Sequence, residues 1–446
     1  MGNGRPDPRR PFVIAHVVGL LGLGLWFILT GGTTSAIADE GVDHDATSER
    51  VPRASREVAA PVLEVLEVLE VPEIPPIPAE VDLRKAQLEG GRYVQRLEDG
   101  ARITLTVDPA TQRAAERALN RYPIQFGSVV ALEPSTGRLL AMAEVVNDRA
   151  AAGKGRPATQ AHHPAASIFK LVTSTALLQH TRVRPSTRVC VHGGRSGLTS
   201  HQIRGDRRRD KRCRRFSEAL GYSDNAVFAR LAYHNLTPEI LGATAAKMGF
   251  SSPLDLPWAA EASTLELPER DDEEAFARIA AGFWHSSLSP VHAATLVAGI
   301  ANDGVMLRPI QVDTWIGPEG DEMPIIASRS LGRVMRKRTA HVLTRMMVET
   351  TVRGTGRKTF GNRRDWPWRD VVEVASKTGS LSRKDPIFTH YSWFVAFAPA
   401  DDPKIAVAVL VGNPRKWYVK AIHVARETLA AFFSGERERR AIASAD

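Results

Sequence analysis

Strand patterns fall in two widely separated blocks of this 446-residue chain, and that spacing restricts the fold more than any other feature. Residues 127–143 (GSVVALEPSTGRLLAMA) read as a hairpin, two apolar strands around the turn residues Pro134, Ser135 and Gly137. From 167 to about 347 the apolar spacing is mainly helical, interrupted by loops. Strands return at 371–376, 391–397 and 405–411, and 420–433 closes as a helix. Two strands, a helical insert and three more strands predict an α/β (α+β) fold. One antiparallel five-stranded sheet, flanked by helices, is assembled from both ends, with an all-helical lobe beside it and a cleft at the junction. Ahead of these, 103–107 is a short strand pattern, and Asp108 can cap a helix carrying Ala114, Ala115, Ala118 and Leu119.

The first hundred residues have a different character. Residues 11–30 contain no Asp, Glu, Lys or Arg, and about 20 apolar residues at 1.5 Å each span a hydrocarbon core of roughly 30 Å. Arg9 and Arg10 precede the run, which keeps residues 1–10 cytoplasmic and exports the rest. Ala36-Ile37-Ala38 resembles a signal-peptidase site, but the run is long for a cleaved signal, and a retained anchor is expected. Residues 31–100 read as a flexible tether. The repeat Val-Leu-Glu at 62–70 matches neither helix nor strand period, and Pro72, Pro75, Pro76 and Pro78 favour extended polyproline II. Residues 101–434 then form the globular domain and 435–446 a polar tail. Charge divides accordingly: +2 in residues 1–38 and −9 in 39–82, which leaves +16 of the overall +9 for 83–446. A basic, exported body expects an anionic partner, acidic polymer or membrane surface, and export excludes nucleic acid.

Cys190 and Cys213 are the only cysteines, an even count in an oxidising setting, and a bridge between them is expected. It would close a loop of about 24 residues, worth roughly 3 kcal/mol by loop entropy. Beside them lie Arg204, Arg207, Arg208, Arg209, Lys211, Arg212, Arg214 and Arg215, diluted by Asp206 and Asp210; a solvated loop and an anion-binding patch are equally good readings. His-Glu-x-x-His, Gly-x-Ser-x-Gly and a complete phosphate loop are missing; residues 354–359 (GTGRKT) only resemble the last. His162 and His163 are poorly spaced for one metal and read as surface or capping histidines.

Three short motifs carry the chemistry. Ser167-Ile168-Phe169-Lys170 is the only Ser-x-x-Lys; it follows Pro164 and leads into an apolar helix. At this spacing hydroxyl and amine share a helix face, and a serine in the first turn meets free backbone N–H groups that favour developing negative charge. Lysine can act as base only when neutral, roughly three units below its free value, and burial and a second cation both push it there. Ser223-Asp224-Asn225 is the only Ser-x-Asn and precedes a helical pattern at 226–232. Lys377-Thr378-Gly379 is the only Lys-Thr-Gly and ends a strand pattern, with Gly379 open to close approach by a ligand. Lys377 is the expected second cation. Singly, each motif is a chance-level signal; together, unique and in order, they are specific.

This set resembles the penicillin-binding protein and serine β-lactamase superfamily, whose signature is S-x-x-K, S-D-N and K-T-G. The resemblance covers roughly 101–433, including ITLTVDPATQRAAERAL, SPVHAATLVAGIANDGVMLRP and SWFVAFAPADDPKIAVAVLVGNP. It implies a monofunctional transpeptidase domain with a reduced N-terminal region. Ser167 would be the acylated nucleophile and Lys170 its base. Ser223 would relay protons to the leaving amine, Asn225 would orient Lys170 and the substrate amide, and Lys377 with Thr378 would hold the substrate carboxylate. The N–H groups of Ser167 and Ser380 would form the oxyanion hole. Implied partners are stem peptides ending in D-Ala-D-Ala, lipid-linked precursor strands, β-lactams, the inner membrane and a glycan polymerase; no metal or organic cofactor is implied. D,D-carboxypeptidase and β-lactamase differ only in using water on the same acyl-enzyme, and a non-catalytic sensor or scaffold is the other class. Residues 282–290 (GFWHSSLSP) look like class D β-lactamases, while Asn225 argues against them.

Overall fold

The computed structural model describes residues 81–194, 197–269, 272–323, 328–384 and 387–443, with side chains to 437. The expected anchor at 11–30 and most of the tether lie outside these residues. No helix among the described residues is long and apolar enough to cross a membrane.

The tether ends sooner than expected. β1 (Gln87–Glu89) and β2 (Arg92–Arg96) pair as a hairpin around Gly90 and Gly91, whose φ values of 54° and 80° are the left-handed pair that a tight hairpin turn requires. β3 (Arg102–Leu105), overlapping the strand pattern expected at 103–107, pairs with β2, whose charged flanks hide its own alternation. α1 (Pro109–Asn120) follows, then β4 (Phe126–Leu132), β5 (Leu139–Val146) and a short α2 (Arg149–Ala152). A 3-10 turn at Ala166–Ile168 leads directly into α3 (Lys170–His180).

The segment read as all-helical is mixed. β6 (Arg188–Val191), α4 (Ser200–Arg204) and β7 (Arg212–Arg215) form a hairpin in which Cys190 and Cys213 are register partners and disulfide-bonded, as expected. α5 (Phe216–Gly221), α6 (Asn225–Asn235), α7 (Pro238–Lys247), α8 (Glu273–Ala280) and α9 (Pro290–Ala301) complete the lobe. β8 (Val305–Leu307) and β11 (Ser330–Arg333) pair, whereas β9 (Val312–Ile316) and β10 (Glu322–Met323) join β1–β3 in a second sheet ordered β1-β2-β3-β9-β10. These strands are too short to show a clear period.

α10 (Lys337–Val352) and α11 (Arg357–Phe360) lead to β12 (Ala375–Arg383), β13 (Thr389–Ala398) and β14 (Ile405–Asn413), and α12 (Ala421–Ala443) carries the helix through most of the expected polar tail. The main sheet is antiparallel, ordered β12-β13-β14-β4-β5, five strands drawn from both ends of the domain. One expected strand is displaced. The amides of Val371 and Val372 turn back to the Trp368 carbonyl, so β12 starts only at Ala375 and the Lys-Thr-Gly lies inside it. Both faces of the sheet are covered, which is why every residue of β14 is buried. Val129, Ala131, Val407 and Val409 pack against α1 and α12, while Val130, Trp393, Val395 and Leu410 face the helical lobe. The cleft lies on that second face, along edge strand β12.

Candidate active site

Four segments converge there. The stretch ahead of Ser167 is clamped on two sides: Trp393 Nε1 donates to the Pro164 carbonyl at 2.9 Å, and the Ala165 amide donates to the Ser286 carbonyl at 3.0 Å. Ala166 is held at φ 48°, a left-handed conformation that costs a β-carbon-bearing residue of order 1–3 kcal/mol. Gly282, at φ 83°, abuts the Ala166 carbonyl so closely that a Cβ there has no room. Gly379 also admits close approach, but the approaching groups are protein: Ile168 at 3.3 Å and Trp393 at 3.1 Å from where its Cβ would sit. Its role is to seat β12 against the turn bearing Ser167.

Lys170 is fully buried, and its Nζ has three oxygen partners: Ser167 Oγ at 2.8 Å, Asn225 Oδ1 at 2.8 Å and the Ala281 carbonyl at 2.5 Å. The Phe228 ring lies 5.5 Å away. Lys377 is also fully buried; its Nζ donates to Ser223 Oγ at 2.8 Å and to the Thr378 carbonyl at 2.6 Å. Ser223 takes a left-handed φ of 55°, and Asp224 caps α6 by accepting from the Val227 amide. The three motifs, 56 and 154 residues apart in sequence, thus share one hydrogen-bonded cluster centred on two lysines. Thr378 Oγ1 lies 2.7 Å from Thr355 Oγ1.

Burial is the principal cause of the depressed basicity at both lysines. It brings Lys170 down to about 7, opposed by the negative charge of Asp224. Lys377 falls well below the usual lysine range, through burial and then through repulsion from Lys170. Repulsion between the two ammonium groups is reciprocal, so the expected push of Lys377 on Lys170 and that of Lys170 on Lys377 are one interaction.

Several contributors were not legible in the sequence. The Ala281 carbonyl carries no residue-type signal. Thr355 lies in the segment that resembled a phosphate loop. Arg212 and Arg214 meet Asp224 from β7, while Arg204 and Arg209 pair with Glu274 and Asp206 at the surface and Arg207, Arg208, Lys211 and Arg215 are exposed, in keeping with a solvated loop over that stretch. His163, expected at the surface, is buried and stacked on Phe126. Among the described residues no cluster of three His, Cys, Asp or Glu could hold a metal ion.

The family described as penicillin binding protein transpeptidase domain matches residues 127–433. The chain is 30% identical over 346 residues to the peptidoglycan D,D-transpeptidase PbpA of Mycolicibacterium smegmatis, covering 70% of this chain and 67% of that one. It is 27% identical to the peptidoglycan D,D-transpeptidase PbpA of Mycobacterium tuberculosis, over 70% and 68%. Among solved structures, the ceftriaxone acyl-enzyme complex of penicillin-binding protein A from M. tuberculosis superposes with a TM-score of 0.62 at 25% identity, covering 74% of this chain and 80% of that one.

Proposed function

Because this chain belongs to the penicillin-binding protein transpeptidase family, we propose that the cluster around Lys170 is the acylation centre of a peptidoglycan cross-linking enzyme. The protein is a serine-type D,D-transpeptidase that binds penicillin, a reading supported by relatives so named and by β-lactam acyl-enzymes of the same fold.

One observation carries the assignment of roles. A neutral amine has two N–H donors and one lone pair. Two of the three partners of Lys170, Asn225 Oδ1 and the Ala281 carbonyl, can only accept. They take both N–H groups, and the lone pair is left for the Ser167 hydroxyl. Ser167 Oγ then attacks the carbonyl carbon of the penultimate D-Ala as its proton passes to Lys170 Nζ. The N–H groups of Ser167 and Ser380 receive the developing oxyanion. Collapse breaks the amide C–N bond; Ser223 passes its proton to the departing D-Ala amine and regains one from Lys170 Nζ, the proton taken from Ser167, so that Lys170 is again neutral. An amine from a neighbouring strand attacks the resulting ester and gives a proton to Lys170; its N–C bond forms as the C–Oγ bond breaks, and Lys170 returns that proton to Ser167 Oγ. Lys377 and Thr378 hold the terminal carboxylate. Its arrival favours the ammonium of Lys377, and that charge opposes a proton on Lys170. Substrate binding thereby sharpens the base.

The test is turnover of a stem peptide ending in D-Ala-D-Ala with an amine acceptor, beside a penicillin pulse-chase. Cross-linked product and an adduct lasting many minutes are expected. D-Ala release with only hydrolysed peptide would make it a carboxypeptidase, and an adduct lost within seconds a β-lactamase. No adduct on folded protein would leave the non-catalytic scaffold.

Residues 11–30, behind Arg9 and Arg10, support a single-pass anchor with the catalytic domain outside the cytoplasm, where precursor strands and a glycan polymerase work. Protease added to spheroplasts should digest the catalytic domain while the protein stays with membranes after alkaline extraction. Protection from protease would place the domain inside and sink this topology.

A further inference from the structure

The hairpin closed by the disulfide reaches the middle residue of Ser223-Asp224-Asn225. Arg212 and Arg214 flank Cys213 on β7, and residues two apart on a strand point to the same side. Both point at Asp224. Arg212 pairs with its carboxylate through Nη1 and donates to the Gly193 carbonyl at 3.0 Å; Arg214 Nε lies 3.2 Å from the same carboxylate, its guanidinium stacked 3.9 Å over the Tyr222 ring. The other end of the hairpin is fixed to the same helix: Arg230 of α6 donates to Asp210 at 2.7 Å and to the Cys190 and Gln202 carbonyls. Asp224 is only 8% exposed, and its neighbours on either side are the two residues that bind the lysines.

We propose that Arg212 and Arg214 are positioning residues for the acylation step, clamping Asp224 so that the Ser223–Asn225 turn keeps its place and the carboxylate's charge is spent on them rather than on Lys170. This rests on the reading of Lys170 as the base of Ser167. Charge is the part of the clamp that a structural prop would not supply. Asp224 and Lys377 are the titratable groups that face Lys170 among the described residues. The other elements packed on it present the Ser167 hydroxyl, the Asn225 amide, the Phe228 ring and the Ala281 carbonyl, all neutral. Glu349 of α10, behind Gly221, is paired with Arg353. Asp224 favours the ammonium of Lys170, and two guanidinium groups against one carboxylate offset that effect.

The experiment is the rate of penicillin acylation of Ser167 across pH 5–10 in the full chain. In wild type the rate climbs as Lys170 loses its proton. In R212Q/R214Q, Asp224 is uncompensated, and the rising limb moves to higher pH by about one unit, with acylation at pH 7 down several-fold and recovering at high pH. R212K/R214K restores the wild-type limb. Asp224→Asn, which can still cap α6, removes the acid and moves the limb to lower pH. A limb that stays at the wild-type position in R212Q/R214Q and in Asp224→Asn, whatever happens to the plateau, overturns the proposal. Wild type that forms no adduct at Ser167 instead overturns the reading of the site itself.

Discussion

Ser167→Ala should show no covalent penicillin adduct at any pH, a loss of more than about 10⁴-fold in acylation, because the ester needs Oγ and no neighbouring hydroxyl can replace it. Ser223, the other serine hydroxyl of the cluster, accepts from Lys377 and not from the base. The fold should survive. Ser167 is partly exposed, and its removal deprives Lys170 of one of three partners, a cost of about 1 kcal/mol. Intact-protein mass spectrometry after prolonged exposure to benzylpenicillin reads the result. A penicillin-sized mass on the variant, located on another residue, would move the nucleophile elsewhere.

The second large effect belongs to Lys170. With Met in its place the serine has no general base, and acylation should fall about 10²–10⁴-fold. The same lysine sets the pH dependence. Burial disfavours its ammonium and brings it to about 7, so the competent neutral form accumulates above that pH and is lost below it. Wild-type acylation should therefore rise about tenfold from pH 6 to its plateau, whereas Lys170→Met should be flat across this range. The substitution also strands the acceptors Asn225 Oδ1 and the Ala281 carbonyl, at about 1–3 kcal/mol each, readable as a lowered Tm. Stopped-flow acylation on folded variant, checked by circular dichroism, decides. A Lys170→Met protein that retains the wild-type pH limb would assign the base to another group, with Lys377 the next candidate.

Much of this was legible before any fold was known, because the signals are local. The i,i+3 spacing of Ser167 and Lys170 places hydroxyl and amine together wherever that helix starts. The apolar runs of 391–397 and 405–411 read as strands, and β13 and β14 contain them. Shorter elements were missed: β1 and β2 hide among charges, and β6 to β11 offer too few residues for a period to emerge. The strand expected at 371–376 failed for a different reason. The valines at 371, 372 and 374 make a strand-like apolar run, but Val371 is 77% exposed and its amide is taken by a turn.

What the sequence by itself determined is the inventory: one serine with a lysine a helical turn away, a second serine and lysine in unique motifs, and a sheet that both ends of the domain must build. What only the tertiary structure decided is the state of that inventory. A lysine's basicity depends on what surrounds it, so the lowered basicity of Lys170 comes from its complete burial. Its orientation comes from a backbone carbonyl at Ala281, a group every residue possesses. The compensation of Asp224 comes from two arginines among eight neighbouring basic residues, selected by strand alternation about a disulfide. Desolvation, carbonyl direction and charge pairing are properties of neighbours brought together by folding, and a linear sequence does not contain distances.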